Sequence, residues 1–88
     1  MHPWTWTPAK NDKTFAERGF DFEFATLIFE GRVVLRRSDR DGEARIQAIG
    51  VIDGRYYSVI YTKRSRPRRR HIISARRARK NEEAYYNR

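Results

Sequence analysis

Residues 45–62 read RIQAIGVIDGRYYSVIYT, and this stretch decides the architecture. Ile46, Ala48, Gly50 and Ile52 alternate with Arg45, Gln47, Ile49 and Val51, the period-two pattern of a strand. Asp53-Gly54 follows, a dipeptide with ready access to positive φ, as the type I′ turn between antiparallel strands requires. From Arg55 to Thr62, Tyr57, Val59 and Tyr61 point one way and Tyr56, Ser58 and Ile60 the other. Both faces are largely apolar, so this strand is expected in the middle of a sheet.

Upstream, Val33, Val34 and Leu35 predict a further strand, followed by a polar turn over Ser38 to Gly42. Asp21 is placed to cap a helix carrying Phe24, Ala25, Ile28 and Phe29 at helical spacing, closed by Gly31. Thr7-Pro8 reads as an N-cap with proline at the first helical position, and Gly19 as the left-handed end of a helix over Pro8 to Arg18. Trp4 and Trp6 alternate with threonines in a short extended segment with one buried aromatic face. Downstream, Pro67 interrupts a basic loop over residues 63–70, His71 to Ser74 forms a last strand, and Arg79 to Tyr86 a last helix on which Arg79 and Glu83 pair. The expectation is an α+β fold over residues 1–88 as a single domain: two N-terminal helices, an antiparallel meander of four to five strands and a C-terminal helix.

The chain has 88 residues, enough for one modest core and too few for a deep multi-layer enzyme. Five Phe, five Tyr and two Trp argue for a folded chain. Without cysteine there is no disulfide framework and no thiolate metal site, which fits a cytoplasmic location. Neither a signal-peptide pattern nor a run of about eighteen apolar residues occurs, so no membrane association is expected.

The net charge of +9 is local. Ten of the twenty basic residues fall between Lys63 and Lys80, with no acidic residue from Gly54 to Asn81; elsewhere acidic residues slightly outnumber basic ones. Eight of the ten are arginine, whose planar fork matches two phosphate oxygens. Such a field draws a polyanion, and RNA is the expected one. The arginines of 63–70 and those after Ser74 leave opposite ends of the last strand, with Arg45, Arg69 and His71 between them. A cationic groove across the open face of the sheet, with Tyr57 or Tyr61 to stack a base, suits single-stranded RNA.

The order of motifs resembles the BrnT toxins. The residues that carry the resemblance are Trp6-Thr7-Pro8-Ala9-Lys10, the helix ending in Arg18-Gly19, Phe22-Glu23-Phe24-Ala25 running to Phe29, the 45–62 hairpin, and above all Ile72-Ile73-Ser74-Ala75-Arg76-Arg77-Ala78. The resemblance implies a RelE-like ribonuclease fold and RNA cleavage that inhibits translation and growth. It also implies neutralisation by a BrnA-like antitoxin with a ribbon-helix-helix domain, in a two-to-two complex that reaches operator DNA only through the antitoxin. The chain departs from the family pattern at Thr7, Arg18 and His71, where the family has Asp, His and Arg.

Neither His2 and His71, far apart in sequence, nor the pairs Asp39/Asp41 and Glu82/Glu83 form a convincing metal constellation, and no cofactor is expected. A metal-independent ribonuclease uses the substrate's 2′-hydroxyl as nucleophile. It needs a base, cations for the phosphorane and an acid for the 5′-oxygen. Arg64 and Arg76 are expected to clamp the phosphate, with Arg45, Arg69 and Arg77 assisting. His71 or Glu43 is expected to transfer the proton; histidine titrates nearest neutrality. An acidic antitoxin segment would lie along the same groove. The alternative reading is a non-catalytic RNA-binding or ribosome-associated module.

Overall fold

A computed structural model describes residues 3–65 and 68–88. The described chain is α+β, with three α-helices and a five-stranded sheet in the order β1-β5-β4-β3-β2. The strands are β1 (Trp4–Trp6), β2 (Val34–Arg37), β3 (Ile46–Ile52), β4 (Arg55–Ser65) and β5 (Arg68–Arg77). The hairpin that organises the sheet forms as its alternation demands, with Ile46 opposite Tyr61 and Ile52 opposite Arg55. Asp53 and Gly54 take φ of 50° and 78° in the turn. Strand β4 is central, flanked by β3 and β5.

Two features differ from the sequence reading. Lys63, Arg64 and Ser65 pair with Arg70, Arg69 and Arg68, so the basic segment extends two long strands instead of forming a loop. Local composition hides this, because the pairing is decided by registry with the tyrosine-rich stretch that precedes it. Arg66 and the expected break at Pro67 lie outside the described residues. The sheet is also mixed: β1 pairs parallel with β5, Trp4 opposite Arg70 and Trp6 opposite Ile72, while the other pairings are antiparallel.

The segment from Phe22 to Ile28 covers one face of the sheet, while the first helix packs along β5 with no buried residue of its own. Helix α1 (Pro8–Arg18) ends at Gly19, whose φ of 82° only glycine adopts without cost. Thr7 occupies the N-cap position of α1, but its side chain makes no cap bond. Helix α2 (Phe22–Ala25) starts where the Asp21 carboxylate accepts the Phe24 N–H at 2.8 Å. It then tightens into a 3-10 segment over Thr26–Glu30, whose Thr26 hydroxyl donates back to the Glu23 carbonyl at 2.6 Å. The tighter turn sets Ile28 against the sheet at Gly50, where a Cβ would stand 2.7 Å from the Ile28 Cβ.

Phe22, Ala25 and Ile28 meet Ala48, Ile52, Tyr57, Val59, Tyr61, Ile72 and Ala75 in the core. Trp4 closes it at the β1 edge, edge-on to Tyr61 at 5.2 Å and against Phe29 at 4.7 Å. The C-terminal helix α3 (Lys80–Tyr86) lies on the other face. That face is therefore split into a covered half and an open one.

Candidate functional site

The site begins with an irregularity. Between Ile60 and Tyr61 the β4/β5 register shifts: Ser58 and Ile60 face Arg76 and Ser74, whereas Tyr61 and Thr62 face Ile72 and His71. Ile73 is the extra residue of a β-bulge, which reverses the alternation along β5. Without it, His71 would share a face with Ala75 and Arg77, and Ile72 would leave the core. With it, Arg69, His71, Ser74 and Arg76 share the face opposite α2 and the 3-10 segment.

His71 sits on the open half of that face. Its partner across the parallel pairing is Thr5, whose Oγ1 lies 2.8 Å from the imidazole Nδ1. Its partner across β4 is Thr62, whose hydroxyl is turned to the Ala44 carbonyl at 2.9 Å. Partial burial holds the His71 pKa below the ordinary histidine value, and the charges of Arg64 and Lys10 lower it further against the opposing pull of Glu43. These influences favour the neutral imidazole.

Glu43 is delivered by the turn between β2 and β3, in which Arg40 and Glu43 exchange backbone hydrogen bonds of 3.0 and 2.9 Å and Asp41 and Gly42 take positive φ. Its carboxylate accepts the Arg45 Nε at 2.7 Å, so the pair forms one oriented unit. Arg64 and Arg69 are cross-strand partners at the far end of the hairpin. Beside Thr62 the surface opens into a depression lined by Ala44, Arg45, Ile46 and Lys63, with Arg37 and the exposed Asp39 at its rim. Among the described residues, no group of three or more His, Asp or Glu side chains could hold a metal ion.

The covered half is a polar row. Arg36 of β2, Gln47 of β3, Ser58 of β4 and Arg76 of β5 line up beneath Glu82 of α3. Arg76 donates to the two Glu82 oxygens at 2.7 and 2.8 Å, Gln47 Nε2 donates to Glu82 at 2.7 Å and to Ser58 Oγ at 2.8 Å, and Arg36 Nε donates to the side-chain Oε1 of Gln47. Glu82 also accepts the Arg79 N–H at 2.8 Å, a residue at the third helical position bonding back to the N-cap. These donors, Arg76 foremost, lower the Glu82 pKa to about 2 although the side chain is only 4% exposed.

The chain matches the model of the family described as the ribonuclease toxin, BrnT, of type II toxin-antitoxin systems, over residues 6–82. It belongs to the BrnT toxin family. Neither the curated proteins nor the solved structures contain a match to this chain. The family description names a ribonuclease toxin, and a type II system pairs its toxin with an antitoxin.

Of the side chains singled out in the sequence, Arg64, His71, Glu43, Arg45 and Arg69 gather on that half-face. Three do not. Tyr61 is 2% exposed in the core between Trp4 and Phe29, so it stacks on protein and not on a base. Arg77 is on the opposite face, its guanidinium 5.5 Å from the Tyr57 ring centroid. Arg76 is on the right face, but both of its terminal nitrogens are committed to Glu82, so the two-ended clamp becomes a one-ended one. Tyr57, the other tyrosine considered for stacking, is buried as well. Where the sequence pairs Arg79 with Glu83 on α3, Glu82 accepts the Arg79 N–H and binds Arg76. Sequence reading missed Thr5, and took Lys10, which matches a lysine of the family, as structural. The alternation of Trp4, Thr5 and Trp6 does place Thr5 on the face away from the tryptophans, yet nothing local says that this face pairs with His71.

Proposed function

We propose that this BrnT-family toxin cleaves RNA without a metal, by attack of the substrate's own 2′-hydroxyl, in the groove around His71. The observation that carries the reading is an imidazole held neutral and oriented by Thr5 at the cationic end of the β4/β5 hairpin. With the Nδ1 proton donated to Thr5 Oγ1, Nε2 keeps its lone pair and takes the 2′-hydroxyl proton as the 2′-oxygen bonds to phosphorus. Arg64, with Arg69 and Arg45 behind it, stabilises the negative charge that grows on the phosphorane oxygens. Glu43 favours the imidazolium that forms and, through its bond to Arg45, fixes that guanidinium. Lys10, whose charge also reaches His71, is the donor for the 5′-oxygen as the P–O5′ bond breaks. The products are a 2′,3′-cyclic phosphate and a 5′-hydroxyl.

The RelE-like fold, inhibition of translation in the cytoplasm, and control by a BrnA-like ribbon-helix-helix antitoxin in a two-to-two complex that meets operator DNA belong to the same reading. They rest on the family resemblance. Incubation of RNA with the purified toxin in excess chelator, followed by analysis of the new ends, tests the chemistry. Cyclic phosphate and 5′-hydroxyl ends support it; cleavage that requires a divalent cation, or 3′-hydroxyl and 5′-phosphate ends, refutes it. RNA that is bound but left intact would instead favour a non-catalytic RNA-binding module.

A further inference from the structure

The face opposite His71 carries a second feature that RNA cleavage does not use. Where the end of α1, the start of α2 and the Asp53-Gly54 end of the sheet converge, a depression opens with Phe15, Phe20, Phe24 and Tyr57 as its apolar lining. Phe15 is 59% exposed, on a helix with no buried residue of its own. Its rim is cationic: Arg18 from α1, Arg55 from β4 and Arg77 from β5. Among the described residues none of these three guanidiniums is in an ion pair. The one carboxylate at the rim, Asp21, is engaged in capping α2.

We infer that this depression is an anchor point for the antitoxin, taking an apolar side chain flanked by carboxylates. Burial of an exposed phenylalanine supplies affinity, and three arginines around an aromatic floor set the charge of the occupant. Protein fits the pocket better than RNA. Phe20 and Phe24 stand at 85° and 75° to the Tyr57 ring, so neither forms with it a parallel slot for a base. The pocket also opens on the opposite side of the sheet from the groove, so a strand seated at His71 would have to pass around an edge to reach it. An anchor here leaves a second antitoxin segment free to lie in the groove. The inference uses the toxin-antitoxin assignment of the family and stands without the His71 chemistry.

The test is calorimetric titration with the purified antitoxin from the toxin's own operon, against the parent, His71→Gln and the double variant Phe15→Glu/Arg55→Glu. Circular dichroism melts confirm the fold of each. Where the double variant melts lower than the parent, Phe15→Ser/Arg55→Ala replaces it on the same terms. The double variant is expected to bind the antitoxin at least tenfold more weakly while RNA binding and cleavage stay within twofold of the parent. His71→Gln should bind the antitoxin as the parent does, whether or not it cleaves. Antitoxin affinity within twofold of the parent in a folded variant overturns the inference. Loss of RNA affinity with antitoxin affinity intact overturns it too, by showing nucleic acid to be the occupant.

Discussion

At the scale of single residues, the arginines that look alike in sequence separate into different roles. Arg64 stands near a neutral histidine, Arg76 is locked to a carboxylate, Arg70 lies 4.2 Å from the Trp4 ring centroid, and Arg77 faces the other side of the sheet. Their density was legible from the chain alone; their division was not, because one extra residue at Ile73 reverses which side chains share a face. Removing the cation nearest the phosphate, Arg64→Ala, should lower the cleavage rate about 10²- to 10³-fold, the range for loss of one transition-state donor, with little change in melting temperature. Arg76→Ala should do the reverse and lower the melting temperature more than the rate per folded molecule. Steady-state kinetics beside thermal melts of both variants separate the roles.

At the scale of elements, α3 is held by chemistry more than by length, since seven residues are too few for a helix to persist alone. Tyr86 stacks edge-on to Tyr56 at 5.5 Å and donates to the Arg32 carbonyl at 3.0 Å, while Glu82 ties the helix to β3 and β5. Glu82 binds fewer protons when folded than when unfolded between its ordinary pKa of 4.5 and about 2. Its contribution is therefore full above about pH 5 and is lost as pH falls toward 2. Glu82→Gln should cost on the order of 2 kcal/mol at pH 7, lowering the melting temperature by roughly 8–16 °C, and should flatten the acid limb of the stability curve. Denaturant unfolding across pH 2–7 reads both effects. Gly50→Ala should destabilise by about 1–3 kcal/mol, because the new Cβ meets Ile28 and must push the 3-10 segment off the sheet. The helix ends and the β3/β4 hairpin were legible because they rest on local signals: Pro8, Gly19, Asp21 and Asp53-Gly54. The parallel pairing of β1 and the lengths of β4 and β5 were not, because they depend on partners far away in sequence.

At the scale of the whole molecule, the sheet separates two surfaces: a cationic groove on one side and an aromatic pocket with an arginine rim on the other. If Arg45, Arg64, Arg69 and Lys10 meet about four phosphates of a single strand, log affinity should fall with log salt with a slope of about −3. Fluorescence anisotropy with a labelled oligoribonucleotide at 50–300 mM salt measures the slope, and a flat response would remove the electrostatic basis of the groove.

The central claim is that His71 acts as the base, and the dependence of kcat/KM on pH tests it most directly. The parent's kcat/KM should rise with pH through an inflection below 6.5, set by the lowered His71 pKa, and level off above pH 7. His71→Gln should lose about 10²- to 10⁴-fold and the inflection with it. A His71→Gln toxin that cleaved at the parent's rate with the parent's pH profile would contradict the account.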